Sequence, residues 1–289
     1  MARVELLSNT TAIPSRKVLI KALTLAAATQ SSICIFAKDY QRSEDHTFLD
    51  LLLSEDRRRK SLSDSYLRWS AQVLEKVDLI SKEEGVDCKL DLIRLEGRHW
   101  AKQMLTAQLS SEKLPILIDR ASIRVTSDLL SVLAKANRNV LLLTDKMWVQ
   151  NSTALAAIDP LHREDKDAKV DETVVETGRS VAKLLNMNIE LAYCRFVAGY
   201  LNEYKSEILE SQKRGVVDFV SDKGFHQIPI VFGRGNPEFA LPEIVKVHKA
   251  SLLVMGACRR GSVSRFLTGS TVDVMLKNPP CDLLLVTHF

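Results

Sequence analysis

The sequence predicts an α/β protein made of two tandem copies of one unit, each a five-stranded, parallel-type sheet flanked by helices. Three observations support this fold class. Short apolar runs alternate with longer amphipathic segments, as expected for parallel strands joined by crossover helices. This order occurs twice within the 289 residues. The closing apolar runs of the two copies, 141–144 (LLLT) and 283–286 (LLLV), are separated by 142 residues and differ at one position.

In the first half, the elements follow from apolar periodicity and from residues that start or stop helices. Glu5 interrupts the first strand and weakens it, whereas Pro14 suits the first turn of a helix. Gly85 is a suitable stop for a long amphipathic helix. The predicted order is strand 4–8, helix 14–28, strand 32–37, helix 54–84, strand 86–95, helix 98–109, strand 114–118, helix 126–136 and strand 140–144.

The second half repeats this order, with Gly215 as a possible break in its second helix. Because the link at 145–152 is short, we expect two domains, 1–146 and 152–289, packed as a fixed pseudo-dimer. The predicted elements are strand 154–158, helix 170–185, strand 189–194, helix 200–223, strand 228–232, helix 237–248, strand 251–255, helix 272–278 and strand 283–286.

Composition and charge exclude several classes of protein. The net charge of +4 is spread evenly, with 22 basic and 19 acidic residues in 1–145 and 18 and 17 in 146–289, so no nucleic-acid-binding face is expected. The longest apolar region, 18–37, is interrupted by Lys21 and by polar residues at 30–32, so no membrane span is expected. Five cysteines without C-x2-C pairing favour a reducing, cytoplasmic location. No spacing of histidines and carboxylates predicts a metal site.

A segment near the C-terminus has the order of an anion site. A buried strand ends at Gly256, a basic loop follows with Arg259 and Arg260, and the loop leads through Gly269 into a helix. Unpaired N–H groups of such a loop and of the first helical turn face outward, and the helix dipole favours negative charge there. Hydroxyl caps are supplied by Ser270 and Thr271.

This segment resembles the Gly-x2-Gly-x9-Gly-Ser/Thr motif of nucleotide-binding universal stress proteins. Gly256, Gly269 and Ser270 match the first glycine, the last glycine and the hydroxyl, while Arg259 occupies the place of the middle glycine. Further likeness lies in the run 51–57 (LLLSEDR) with its long helix and in 235–237 (GNP). The whole chain resembles the tandem, E-type members of that family, whose domains are Rossmann-like and of the HUP type.

The resemblance implies where a nucleotide would bind. In relatives, an aspartate after the first strand contacts the ribose and the end of the second strand lines the adenine pocket, which correspond to Asp159 and Cys194 here. The first half has Ser8 and Asn9 at the aspartate's place, and its segment 119–126 lacks glycine. We therefore expect a degenerate first domain without a phosphate loop. The resemblance also implies that strands 140–144 and 283–286 pair.

The expected function is that of a cytoplasmic stress-response protein, a non-catalytic regulatory module that binds ATP, with Mg²⁺, or another adenine nucleotide in the second domain. No residue is expected to be catalytic or to bind a metal directly. Three alternatives remain open: an interaction protein that has lost nucleotide binding, a binder of another small molecule, and a slow ATPase. Expected partners are small molecules, unidentified proteins and a second copy of the tandem chain, but neither nucleic acid nor membrane.

Overall fold

The apolar runs of the sequence form the buried strands of the protein. A computed structural model describes residues 3–39, 55–96, 100–106, 114–162, 168–257 and 270–287, apart from the side chains of 55–59, 61, 62 and 270. The chain divides into two compact units. Unit 1 comprises Met1–Val132 with Leu143–Asp145, and unit 2 comprises Leu133–Leu142 with Lys146–Phe289. The predicted domain limits at 146 and 152 stay predictions, and residues 133–142 group with unit 2.

The strands and helices agree with the predicted order in both halves. The strands are β1 (Arg3–Asn9), β2 (Ser32–Lys38), β3 (Leu90–Leu95), β4 (Ile116–Asp119), β5 (Val140–Leu143), β6 (Thr153–Ala157), β7 (Asn188–Arg195), β8 (Ile230–Arg234), β9 (Ala250–Gly256) and β10 (Asp282–Val286). The helices are α1 (Arg16–Ala28), α2 (Glu55–Glu84), α3 (Trp100–Thr106), α4 (Ser127–Lys135), α5 (Lys169–Leu184), α6 (Lys205–Asp222), α7 (Pro237–Val247) and α8 (Ser270–Lys277).

In unit 1, the strands lie side by side in the order β3-β2-β1-β4 and are parallel. β1 is a full strand of seven residues in spite of Glu5, whose side chain is completely buried with Arg3 3.6 Å away. A buried charge needs a partner of this kind, since desolvation is costly. The predicted strand at 86–95 is shorter in the structure, beginning at Leu90, whereas Gly85 ends α2 as predicted with a φ of 65°.

In unit 2, the order is β5-β10-β9-β6-β7-β8. The pairs β10–β9, β9–β6, β6–β7 and β7–β8 are parallel. β5 is antiparallel to β10, with Leu142 opposite Leu283 and Val140 opposite Leu285, which confirms the predicted pairing of the two closing runs. The segment before β6 is held to the same unit, because Trp148 Nε1 donates a hydrogen bond of 2.8 Å to Asp282 Oδ2.

Candidate functional site

The carboxyl ends of β6 and β9 flank the crevice where unit 2 is best suited to bind a ligand. From β6, the chain passes through α5 to β7 on one side, and it later returns through α7 to β9 on the other. Ala157 pairs with Ala192 of β7, and Ala156 pairs with Val254 of β9. β6 is therefore the topological switch point, and open α/β sheets bind ligands in the crevice at that point.

Asp159 lies in a fixed turn directly after β6. The ladder ends where Ile158 N donates to Ala192 O at 3.0 Å. The next amide, Asp159 N, donates to Asp171 Oδ1 at 2.7 Å, and Asp159 O accepts from His162 N at 3.0 Å. The latter bond closes a turn of the Asp-Pro type. Asp159 itself is exposed, so this turn presents a carboxylate at the crevice.

Tyr193 and Cys194 end the strand beside Asp159. The pKa of Tyr193 is raised to about 12 and that of Cys194 to about 11, chiefly by burial and to a lesser extent by the negative charge of Asp159. This shared influence places Asp159 near both side chains. Because thiolate, not thiol, is the nucleophile, this raised pKa makes the Cys194 thiol a poor nucleophile at neutral pH.

The side chain of Cys194 points toward α7. A Cβ placed on Gly233 of β8 would lie 3.3 Å from Cys194 Sγ and 2.8 Å from Ile244 Cδ1, so these side chains surround the glycine. Cys194 therefore acts as a small packing residue, and its main chain remains the part of β7 that can face a ligand.

Gly256 ends β9 on the other side of the crevice. The following amide, Ala257 N, donates to Val286 O at 2.7 Å, and Ala257 is completely buried. Arg259, Arg260 and Gly269 lie outside the described residues, as does the Ser270 side chain.

The first turn of α8 belongs to the same edge of the sheet. α8 begins at Ser270, two residues before the predicted start at 272, and Thr271 is half-buried in its first turn. Because α8 joins two parallel strands, its N-terminus lies at the carboxyl end of β9. The structure thus brings Asp159, the end of β7, Gly256 and the start of α8 to one edge of unit 2.

Two features of this edge escape sequence reasoning. Asp171 appears in the sequence only as an acid in the first turn of α5, yet its side chain holds the Asp159 amide. Gly215 does not break its helix, and α6 runs through it. A Cβ there would lie 2.6 Å from Leu161 Cδ2, so the glycine leaves room for this side chain in the segment after β6.

Unit 1 has different residues at the equivalent positions. Arg120 N donates to Leu143 O as Ala257 N donates to Val286 O, so Asp119 stands where unit 2 has Gly256. The pairs Leu6–Leu117 and Ala156–Val254 then place Asn9 where unit 2 has Asp159.

Asp119 closes this edge of unit 1 with a network of hydrogen bonds. Asp119 is 2% exposed, and its carboxylate accepts from Ser122 Oγ at 3.0 Å, Ala121 N at 3.1 Å and Ser8 Oγ at 3.4 Å. Burial raises the pKa of Asp119, and these hydrogen bonds oppose the rise. Asp119 therefore places a carboxylate where unit 2 has Gly256, and its negative charge would repel a phosphate there.

The segment after β1 is also covered. Trp69 of α2 is 3% exposed, and its Nε1 donates to Ala12 O at 2.9 Å. Lys76 Nζ donates to Pro14 O at 2.8 Å. A tryptophan thus packs over this segment, whereas the equivalent segment of unit 2 contacts its helix through Leu161 and Gly215.

No group of three or more His, Cys, Asp or Glu side chains suited to a metal ion occurs among the described residues. In the part of the chain that the structure describes, every helix is too short or too polar to span a bilayer.

Comparisons with known proteins find similarity to one family. Residues 195–287 match the model of the universal stress protein family. The universal stress protein E homolog of Haemophilus influenzae is 25% identical over 168 residues, which cover 53% of this chain and 53% of that relative, so the match spans about half of the relative's length.

Solved structures share the fold along the whole chain. A universal stress protein from Archaeoglobus fulgidus covers 97% of this chain and is covered to 97% itself, with a TM-score of 0.60 and 14% identity. A protein of unknown function from Pseudomonas aeruginosa covers 98% of this chain and is covered to 92%, with a TM-score of 0.59 and 17% identity. These solved structures confirm the predicted α/β fold class. The universal stress protein model matches the C-terminal third of the chain, which includes the segment with the sequence motif.

Proposed function

We propose that unit 2 binds an adenine nucleotide, such as ATP with Mg²⁺, and that the protein acts as a non-catalytic regulatory module in the stress response. One observation carries the proposal: Asp159 and Gly256 end adjacent strands on the two sides of the switch point. A carboxylate and an unobstructed main chain are what a ribose and a phosphate require at such a crevice.

The described residues fit such a ligand. The exposed carboxylate of Asp159 can accept hydrogen bonds from ribose hydroxyls, and the main chain at Cys194 lies beside it for the base. Gly256 and the first-turn amides of α8 suit the phosphates, since helix N-termini favour anions. In the predicted motif, Arg259 and Arg260 add guanidinium groups that match phosphate geometry.

One route to catalysis, a thiol nucleophile, is disfavoured at the described residues of the crevice. The Cys194 thiol, with a pKa of about 11, is not a nucleophile at neutral pH. The main chain of His162 is occupied in the turn with Asp159, where it supports the shape of the site.

Unit 1 has a supporting role in this proposal. Asp119 would repel the phosphates that Gly256 admits, and Asn9 replaces the ribose-binding carboxylate. The cytoplasmic location, protein partners and a dimer of tandem chains complete the proposal and stay predictions.

Calorimetric titration of the purified chain with ATP and Mg²⁺, followed by a phosphate-release assay, tests this function. We expect saturable binding without turnover, at least tenfold weaker binding for Asp159→Ala, and unchanged binding for Asn9→Ala, its counterpart in unit 1. Turnover would favour a slow ATPase, and no heat in either wild type or variants would mean that the site is not a nucleotide site.

A further inference from the structure

The turn that carries Asp159 is held by a side chain from a different element. Asp171 lies in the first turn of α5 and is 7% exposed. Its Oδ1 accepts from Asp159 N at 2.7 Å. The distance is typical of a strong, charge-assisted hydrogen bond.

The hydrogen bond to Asp171 gives the Asp159 amide an acceptor that the β-sheet does not supply. The last ladder bond of β6 is made by Ile158 N, so Asp159 N is the first amide beyond it. A buried or half-buried amide without an acceptor costs about 1–3 kcal/mol. With Asp171 on the N–H and His162 N on the carbonyl, the main chain of Asp159 is fixed on both sides.

We propose that Asp171 is a positioning residue for Asp159, fixing the turn so that the exposed carboxylate meets a nucleotide ribose in one orientation. This inference rests on the proposed function of unit 2. Binding energy depends on such preorganisation because a mobile group must be ordered when the ligand arrives.

The chain supplies a matched control in the neighbouring residue. Glu172 is another acid in the first turn of α5, and its Oε2 lies 2.5 Å from Lys223 Nζ. Glu172→Ala removes a charge from the same helix end and breaks an ion pair, but it leaves the Asp159 amide untouched. Asp171→Asn keeps an oxygen acceptor, so it separates the hydrogen bond from the charge.

The test is a double-mutant cycle read by ATP·Mg²⁺ titration. We expect Asp171→Ala to weaken binding about tenfold, Asp171→Asn to restore most of it, and Glu172→Ala to change it less than twofold. In the Asp159→Ala background, Asp171→Ala should cause no further loss. An equal loss in both backgrounds, or an equal loss for Glu172→Ala, would overturn the positioning role and leave a purely structural one.

A second measurement needs no nucleotide. Hydrogen exchange of the Asp159 amide, followed by NMR, should be slow in wild type and in Asp171→Asn and at least tenfold faster in Asp171→Ala, with the amides of β6 unchanged. Fast exchange in wild type would overturn the inference. If exchange behaves as expected but wild type does not bind ATP, the proposed function fails while the structural role of Asp171 stands.

Discussion

At the carboxyl ends of their strands, the two units carry different side chains: unit 1 is filled by buried residues, and unit 2 has glycines and an exposed carboxylate. In unit 1, a buried carboxylate at Asp119 and a tryptophan at position 69 occupy the edge. In unit 2, Gly256 and Gly215 stand in the corresponding regions, and a carboxylate is exposed at Asp159. One fold can therefore be closed or left open by a few side chains, without a change in its strand order.

Trp69 should matter most for stability. Trp69→Ala removes a buried aromatic ring and leaves Ala12 O without its donor, so we expect a loss of about 3–5 kcal/mol in the free energy of unfolding. Urea denaturation measures it. Trp69→Phe, which keeps a ring but loses the indole N–H, should cost about 1 kcal/mol. Leu161→Ala in unit 2 should cost less than Trp69→Ala because Leu161 is 42% exposed; equal losses would contradict the contrast between the units.

Asp119 should make unit 1 less stable as the pH rises. Its pKa is raised in the folded state, so the folded state binds more protons than the unfolded state between the ordinary aspartate pKa and the raised one. Stability therefore falls as pH increases through that window, and the penalty is fully present above the folded pKa. Asp119→Asn should remove the penalty, adding on the order of 1 kcal/mol at pH 7.

Urea denaturation of wild type and Asp119→Asn checks this sign. The curves should be measured between about pH 3 and pH 8, a range that spans the titration of an aspartate with a raised pKa. The difference between the two proteins should shrink toward acid pH. A wild type that gains stability relative to Asp119→Asn as pH rises would show that the carboxylate is stabilised by its three donors more than it is penalised by burial.

Gly215 should control the turn after β6. Gly215→Ala would bring a Cβ 2.6 Å from Leu161 Cδ2, a flexible side-chain end that must move. We expect ATP binding to weaken a few-fold, by roughly 1 kcal/mol or less, while Gly215→Ala combined with Leu161→Ala restores it. If the single variant binds as wild type does, the contact does not shape the site.

The Cys194 thiol should react slowly and contribute little to ATP binding. With a pKa of about 11, its thiol should react with iodoacetamide at pH 7 at least tenfold more slowly than a free cysteine, followed by mass spectrometry of the peptides. Cys194→Ala should leave ATP affinity within about twofold, because the main chain and not the thiol faces the crevice. Rapid alkylation would contradict the raised pKa of its thiol.

Apolar periodicity and helix-stopping residues predict most of the fold, but they predict few of the contacts that hold the candidate site in place. Apolar runs place every strand in order, and Gly85 stops α2 as predicted, because these signals are local. Glu5 looks like an interruption in the sequence, yet the structure buries it beside Arg3. Arg3 and Glu5 are two residues apart, so they lie on the same face of β1 only when this segment is a strand.

The contacts that distinguish the two edges are tertiary. Asp171 meets Asp159 across 12 positions and a change of element, and Ser8 meets Asp119 across 111 positions. Gly215 looks like a helix breaker because its partner, Leu161, is 54 residues earlier in the sequence. The motif predicts where a phosphate would lie. The residues that position Asp159 in unit 2, or fill the equivalent place in unit 1, can be recognised only from the folded structure.

Native mass spectrometry of the chain with saturating ATP and Mg²⁺ tests the contrast between the units most directly. We expect one nucleotide per chain at saturation. At ATP concentrations near the wild-type dissociation constant, we expect clearly lower occupancy in Asp159→Ala and unchanged occupancy in Asn9→Ala. Two nucleotides per chain would show that both units bind. An occupancy that is unchanged in Asp159→Ala and reduced in Asn9→Ala would place the site in unit 1, and either result would contradict the contrast between the units.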